Sequence, residues 1–485
     1  MLQFQKHSTF KIGALGLFLL LMVTGCKKFV EVKAPTSSIN EGNVYQSDAT
    51  AIAALTGILS QMASGSVFSG GSGMSLYEGL SADELTLTGA VTDAQLLAYY
   101  RNQLRTGPNG NFGIDYWRSV YPYIFESNAA IAGLNKSESL TPAVKTQLLG
   151  EAKFLRAFFY FYLVNLYGDA PLVLSTNPNE NAVLPRSPKD NIYAQIVADL
   201  KDAQNLLSSS FLDAGLLKST SERVRPTKWA ATALLARTYL YMGEYANAEA
   251  EATSIIAASG QFSLSPLNAV FLKNSTEAIW QLQPVGLGMN TLDAMIFVLP
   301  STGPNASANP VHLSAQQLAA FEAGDLRRKG GNWVDSVISG GNTYFYPAKY
   351  KAKTISGSSF TEYLVLFRLA EQYLIRAESR AQLNNFQGAK DDLNAIRTRA
   401  GLQNTTANDQ ASLLAAILKE RQVELFTELG QRWLDLKRTG KVDEVMTVVT
   451  SLKANGATWK SYQQLYPVPF NDLQLNPKLV QNVGY

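Results

Sequence analysis

Apolar residues recur at three- and four-residue spacing through most of the chain, the periodicity of helices that bury one face. The stretch TKWAATALLARTYLYMGEYANAEAEATSII (227–256) predicts two helices joined at Gly243. Small Ala236 and Ala248 let the pair approach closely, Leu235, Tyr239 and Tyr245 fill the space beside them, and glycine makes the positive φ of the turn cheap. The pattern returns at LAEQYLIRAESRAQLNNFQGAKDDLNAIRTRAG (369–401), where Ala377, Asn384, Phe386 and Ala389 each lie 141 residues after Ala236, Gly243, Tyr245 and Ala248. An earlier helix over 150–173 places Phe154, Ala157, Phe158 and Phe161 on one face, and Ile417 to Lys437 reads as another long amphipathic segment.

This is the grammar of a tetratricopeptide helix pair. The expected fold is mostly α, a tetratricopeptide-like helical-repeat scaffold with pairs near 117–170, 227–258, 366–401 and 412–440, and long loop-rich insertions near 64–113 and 260–360. Within the insertions, stretches at 64–75, 105–113, 301–310 and 329–342 are rich in Gly, Ser, Asn and Pro, with GGSG at 70–73 read as a flexible loop. Phe68, Tyr77, Phe112, Trp333, Tyr344 and Phe345 border them. Rigid helices carrying long loops suit the display of a binding site. Aromatic faces beside Asn, Asp and Arg suit a sugar ring, which has an apolar face and hydroxyl edges; the same mixture also suits ordinary loop packing.

The amino terminus follows a different pattern. Lys6 and Lys11 precede the apolar run Ile12 to Val23, and no acidic residue occurs before Glu31. As a helix that run reaches roughly 18 Å against a hydrocarbon core of about 30 Å, so it predicts a secretory leader over 1–25 rather than a permanent span. Thr24 and Gly25 ahead of Cys26 resemble a bacterial lipobox, which implies cleavage before Cys26, the only cysteine of the chain, and its acylation. A polar tether over 26–42 then leads into a single domain over 43–485.

Composition narrows the function. Loss of the leader takes two lysines and lowers the formal net charge from +3 to +1. Charges are balanced and dispersed, so no nucleic-acid partner is indicated. The histidines are His7, inside the leader, and His312, read as a loop or cap residue; with one cysteine, this excludes zinc motifs and Cys–His nucleophile pairs. No phosphate loop or dinucleotide fingerprint is present and no cofactor is called for. Glu420, Arg421, Glu424, Arg432, Asp435 and Arg438 recur on helical faces and are expected to lock the last helices as ion pairs, while Trp117, Trp229 and Trp433 are expected in the core.

The motifs CKKFVEVKAP, WRSVYPYIFESNAAI, FEAGDLRRKG, LFRLAEQYLIRAES, KERQVELFTELGQRWLDLKRTG and the ending YPVPFNDLQLNPKLVQNVGY, in this order from residue 26 to the last, resemble the SusD/RagB family. The resemblance implies a helical lipoprotein on the outer surface of the outer membrane of Bacteroidetes. Such proteins bind nutrients, most often oligosaccharides, and act as the lid of a SusC-type TonB-dependent barrel; none of this is bond-breaking chemistry. By position, the ligand site should draw on the segment from 82 to 116 and on the insertion around 285–345, offering Tyr77, Tyr99, Tyr100, Arg101, Asn102, Asn290, Phe297 and Trp333. The first segment has no tryptophan before Trp117, a departure from starch-binding relatives that leaves a peptide or another nutrient open. A tetratricopeptide interaction scaffold is the rival reading.

Overall fold

The computed structural model describes residues 43–485 apart from 66, 356–358 and 454–456. The leader, Cys26 and the tether to residue 42 lie outside the described residues. Two compact units divide the chain, Met1–Val44 and Tyr45–Tyr485, and the architecture below is that of the second.

Helices dominate. After α1 (Asp48–Ala63) and α2 (Met74–Ser81) come β1 (Leu85–Leu87) and the short α3 (Ala94–Tyr100). A continuous stack then runs through α4 (Asp115–Lys136), α5 (Pro142–Tyr167), α6 (Lys189–Leu206), α7 (Lys228–Met242) and α8 (Tyr245–Ala257). It resumes, α8 against α10, with α10 (Leu369–Gln382), α11 (Phe386–Arg399), α12 (Gln410–Glu424) and α13 (Gln431–Arg438), followed by α14 (Val442–Lys453). Between α8 and α10 lie β2 (Ala278–Leu282), α9 (Leu292–Phe297), β3 (Val311–Leu313), β4 (Val334–Ser339), β5 (Asn342–Pro347) and β6 (Leu364–Arg368).

The shared offset has a backbone cause. Gly243 ends α7 with φ of 76° and Asn384 follows α10 with φ of 62°, so both pairs turn through the left-handed region that glycine and asparagine tolerate best. Ala236, Ala248, Ala377 and Ala389 are fully buried, which lets the paired helices close. Helix α5 is buried all round from Phe154 to Leu163, as befits a central helix. Its Phe154 and Phe158 meet Trp280 of β2 edge-on at 4.9 and 5.3 Å. Strand β2 pairs antiparallel with β6.

Three sequence expectations change. The run from Ile417 to Lys437 is broken: Thr427, Leu429 and Gly430 have φ of 52°, 48° and 70°, and the turn separates α12 from α13. GGSG at 70–73 forms a tight 3-10 turn ahead of the buried α2, with Gly70 and Gly73 constrained by their surroundings. The glycine-rich stretch 329–342 contains most of a regular hairpin, β4–β5, turning at Gly340 and Gly341, whose φ values of 56° and 78° are those of a type I′ turn.

The ion pairs expected in the last helices form. Arg421 meets Asp435 at 2.7 Å, Arg438 meets Glu378 at 2.5 Å and Asp435 at 2.8 Å, and Glu424 binds Arg327, Arg368 and Arg399. Trp117 and Trp433 are buried, while Trp229 is half-buried. The proline-bearing terminus wraps back over α5: the Tyr466 amide donates to the Leu166 carbonyl at 2.9 Å, and the Asn482 side chain donates to the Tyr167 and Tyr466 carbonyls at 2.9 and 2.7 Å.

Candidate ligand-binding face

The two insertions meet. Strand β1 of the first pairs antiparallel with β3 of the second, with Thr86 opposite His312. The Gly70 amide donates to the Asp293 carboxylate at 2.9 Å, and the Ser314 amide donates to the Glu84 carbonyl at 2.9 Å. Beneath the pair, Arg432 of α13 forks onto both oxygens of Asp83 at 2.8 Å. That bidentate geometry fixes the small sheet to the helical body.

Helix α3 lies beside β1, its start capped by the Asp93 carboxylate, which accepts from the Leu96 amide at 2.8 Å. Tyr99 stacks on Tyr77 of α2 with ring centres 4.2 Å apart, and its hydroxyl donates to Asp115 at 3.0 Å. The Gln95 amide donates to the Tyr77 hydroxyl at 2.8 Å. Burial, with the charge of Asp115 beside it, holds both phenols well above their ordinary range. Asn102 follows α3 with φ of 54°, donates to the Ser81 carbonyl at 2.9 Å and accepts from Thr450 at 3.2 Å. Its side chain is committed to ending the helix.

Tyr100 begins a continuous row across both insertions. The Lys453 ammonium lies 5.5 Å from its ring centre, and its hydroxyl bonds with the Thr86 side chain. Thr86 pairs with His312, and the imidazole meets the ring of Tyr344 on β5 at 5.3 Å. Thr86, His312, Tyr344 and Lys453 are half-buried, and Tyr100 keeps 9% of its surface exposed. Burial lowers the His312 pKa, although its bond to the Leu313 carbonyl works the other way. With Nδ1 held 3.0 Å from that carbonyl, Nε2 of the neutral ring is left as an acceptor.

The other expected ligand residues occupy different ground. Arg101 is half-buried beside Tyr100 at the end of α3. Asn290 is 1% exposed and accepts from the Thr361 and Glu362 amides at 3.0 and 3.3 Å while donating to the Thr354 carbonyl at 3.0 Å. Phe297 is buried near Tyr350 and Lys349. Trp333 has no exposed surface, donates to the Leu267 carbonyl at 2.8 Å, and packs against Lys349 and Arg368 at 5.0 and 5.5 Å from its ring. These three hold the second insertion together from inside and present no face to solvent in this structure. Sequence reasoning missed Thr86, His312 and Lys453 as site residues; Tyr344 was visible only as an aromatic beside a glycine-rich stretch. The two short strands that join Thr86 to His312 are three residues each, too short to show alternation.

Larger hollows lie elsewhere. One of about 780 Å³ runs between α4 and the C-terminal segment, lined by Trp117, Tyr121, Phe125 and Leu475, and one of about 650 Å³ lies among the helix pairs, lined by Tyr241, Tyr245, Glu378, Leu414 and Arg438. Among the described residues, no group of three or more His, Cys, Asp and Glu side chains could hold a metal ion, and no helix is long and apolar enough to cross a membrane.

Comparison with known proteins agrees with the architecture. Residues 313–485 match the SusD family, and residues 28–240 match a family described as starch-binding and associating with the outer membrane. A SusD-like protein of Formosa agariphila is 25% identical, covering 96% of this chain and 98% of its own. Among solved structures, a SusD-like protein of Bacteroides fragilis has a TM-score of 0.75 at 21% identity, covering 93% of this chain and 100% of that one. A laminarin-binding SusD-like protein has a TM-score of 0.70 at 22% identity, covering 91% and 100%. The chain belongs to the SusD family. Members of that family are carbohydrate-binding proteins.

Proposed function

We propose that this chain is a cell-surface lipoprotein of the outer membrane, anchored through Cys26, that captures an oligosaccharide and delivers it to a SusC-type TonB-dependent barrel. The observation that carries the reading is the β1–β3 pairing, which unites the two insertions in one row of aromatic, hydroxyl and imidazole groups on a rigid helical body. Tyrosine rings supply surfaces for the apolar side of a sugar, and Thr86 and His312 supply partners for its hydroxyls. Tyr100 and Arg101 meet the ligand in this reading. Tyr77, Tyr99 and Asn102 position α3, while Asn290, Phe297 and Trp333 brace the second insertion.

An open, half-buried row gives modest affinity, roughly micromolar to millimolar, because wet polar contacts contribute little net free energy each. The row contains no carboxylate, whereas glycoside hydrolysis needs a pair flanking the scissile bond. Calorimetry of the detergent-solubilised chain against glycan fragments should give a saturable signal for one glycan class that Tyr344→Ala removes, with the glycan recovered intact. Release of shorter sugars would sink the reading. Cys26→Ser should shift the protein out of the membrane fraction, and a barrel transporter should co-purify with the unaltered chain. The 650 Å³ hollow among the helix pairs favours the rival interaction scaffold, which predicts instead a tightly bound protein that is not a transporter.

A further inference from the structure

Arginine in this chain is almost always engaged. Most guanidiniums donate to carboxylates, as Arg432 does to Asp83 and Arg156 to Asp199, and Arg186, Arg223 and Arg328 donate to carbonyl oxygens. Three exceptions fall together in the sequence. Among the described residues, Arg101, Arg105 and Arg118 form neither an ion pair nor a side-chain hydrogen bond, and all three lie in the stretch that joins α3 to α4. Arg105 and Arg118 are exposed, with Arg105 lying 5.4 Å over the ring of Phe112. Arg101 is different: its Nε is shielded from solvent yet has no acceptor. A shielded donor without a partner is costly, and native structures rarely keep one without use.

The nearby carboxylates are spoken for. Asp93 caps α3, Asp115 accepts from Tyr99, and Asp472 accepts from the Trp117 indole at 2.8 Å. On the other side of Tyr100, the Lys453 ammonium bonds only to the carbonyls of Leu80 and Ser81, and no carboxylate pairs with it. Burial pushes its pKa down to about 7, against the pull of Asp83. The end of α3 therefore gathers positive groups whose counter-charge is missing from the protein, in a molecule that elsewhere pairs its buried charges closely.

We propose that the oligosaccharide taken by this site is anionic, bearing uronate or sulfate groups, and that Arg101, with Arg105 and Arg118 beside it, meets those groups. Carboxylate and sulfate oxygens match the guanidinium fork, and such charge-assisted bonds are roughly twice as strong as neutral ones. The inference rests on the carbohydrate-binding reading above. It adds charge as the feature that selects among glycans, which the row of Tyr100, Thr86, His312 and Tyr344 does not supply.

The test is calorimetry of the full chain in detergent micelles against oligogalacturonate, carrageenan oligosaccharides and the neutral laminarin oligosaccharides, with phosphatidylglycerol vesicles as a fourth probe. The expected result is binding of the uronate or the sulfated probe at least about tenfold tighter than the neutral one. That binding should weaken as salt rises from about 0.05 to 0.5 M. Preference for galacturonate or for carrageenan identifies the group, and either supports the inference. Arg101→Gln should cost about tenfold on the anionic probe without moving the melting temperature, and Arg105→Gln, fully outside the core, provides a second variant that cannot fail by misfolding. Equal or tighter binding of laminarin oligosaccharides overturns the inference and leaves the carbohydrate reading standing. Silence toward every glycan overturns both. Binding to the vesicles alone assigns the arginines to a lipid surface and also overturns it.

Discussion

Glu424→Gln is expected to destabilise the protein by about 3–5 kcal/mol, the cost of leaving buried charge uncompensated. The carboxylate has no exposed surface and binds three guanidiniums, those of Arg327 at 2.8 Å, Arg368 at 2.6 Å, and Arg399. Its own carbonyl also accepts from Lys349 and Arg368, each at 2.8 Å. Around it, Glu277, Asp325, Glu420 and Glu428 balance the same cations, so the amide variant leaves Arg399 and Arg368 sharing Glu277 and turns an NH2 toward three donors. Burial alone would raise the pKa of Glu424, but Arg399, Arg368 and Arg327 outweigh it and hold the carboxyl well below its ordinary 4.5. A depressed folded-state pKa contributes stability that is present above the unfolded value and lost as pH falls below it. The gap between the two proteins should therefore be full at neutral pH and narrow in acid. Urea unfolding followed by circular dichroism at pH 7 and at about pH 3 measures both. Glu322→Gln, which removes a partner of Arg397 that is 38% exposed, should cost under about 1 kcal/mol. Equal losses for Glu424→Gln and Glu322→Gln, or a gap that does not change with pH, would refute the reasoning.

Other outcomes follow from single features. Gly243→Ala should cost about 1 kcal/mol through backbone strain alone, since nothing lies within 4 Å of an added Cβ and φ is 76°; Asn384→Gly at the matching turn should be neutral or slightly stabilising in the same melt. Burial raises the Glu78 pKa from 4.5 to about 8, so its contribution is present below 4.5 and lost as pH rises through about 8. Glu78→Gln, which stays neutral, should match the parent at about pH 5 and melt higher at about pH 9; a parent that gains stability over that range contradicts the assignment. Tyr344→Ala and Tyr100→Phe should weaken glycan binding about tenfold and about twofold respectively, as aromatic contact outweighs one hydroxyl bond, with unchanged melting temperatures.

The helix pairs were legible because their signals are local. Gly243 and Asn384 occupy turns that tolerate few other residues, and the alanines beside them have no other purpose than close approach. Charges spaced by one or two turns foretold Arg421 with Asp435. The region of the site was also legible, through the resemblance, yet most of its contacts were not. Trp333 follows two glycines and an asparagine and reads as a surface aromatic, but its walls come from Arg368 and Arg399, residues distant in sequence. The pairing of Thr86 with His312 spans more than two hundred residues through strands of three, and no periodicity encodes it. Arg101 carries its information in what it lacks, which only coordinates show.

The fork between Arg432 and Asp83 joins residues 349 apart in the chain. The sheet that seats the candidate site is thus pinned by a segment translated near the end of synthesis, and Tyr466 and Asn482 close over α5 later still. A polypeptide cut short, or exported without its last part, can build helices but cannot assemble the face. Binding competence becomes a certificate of completion: only finished chains compete for ligand, and fragments at the cell surface stay silent.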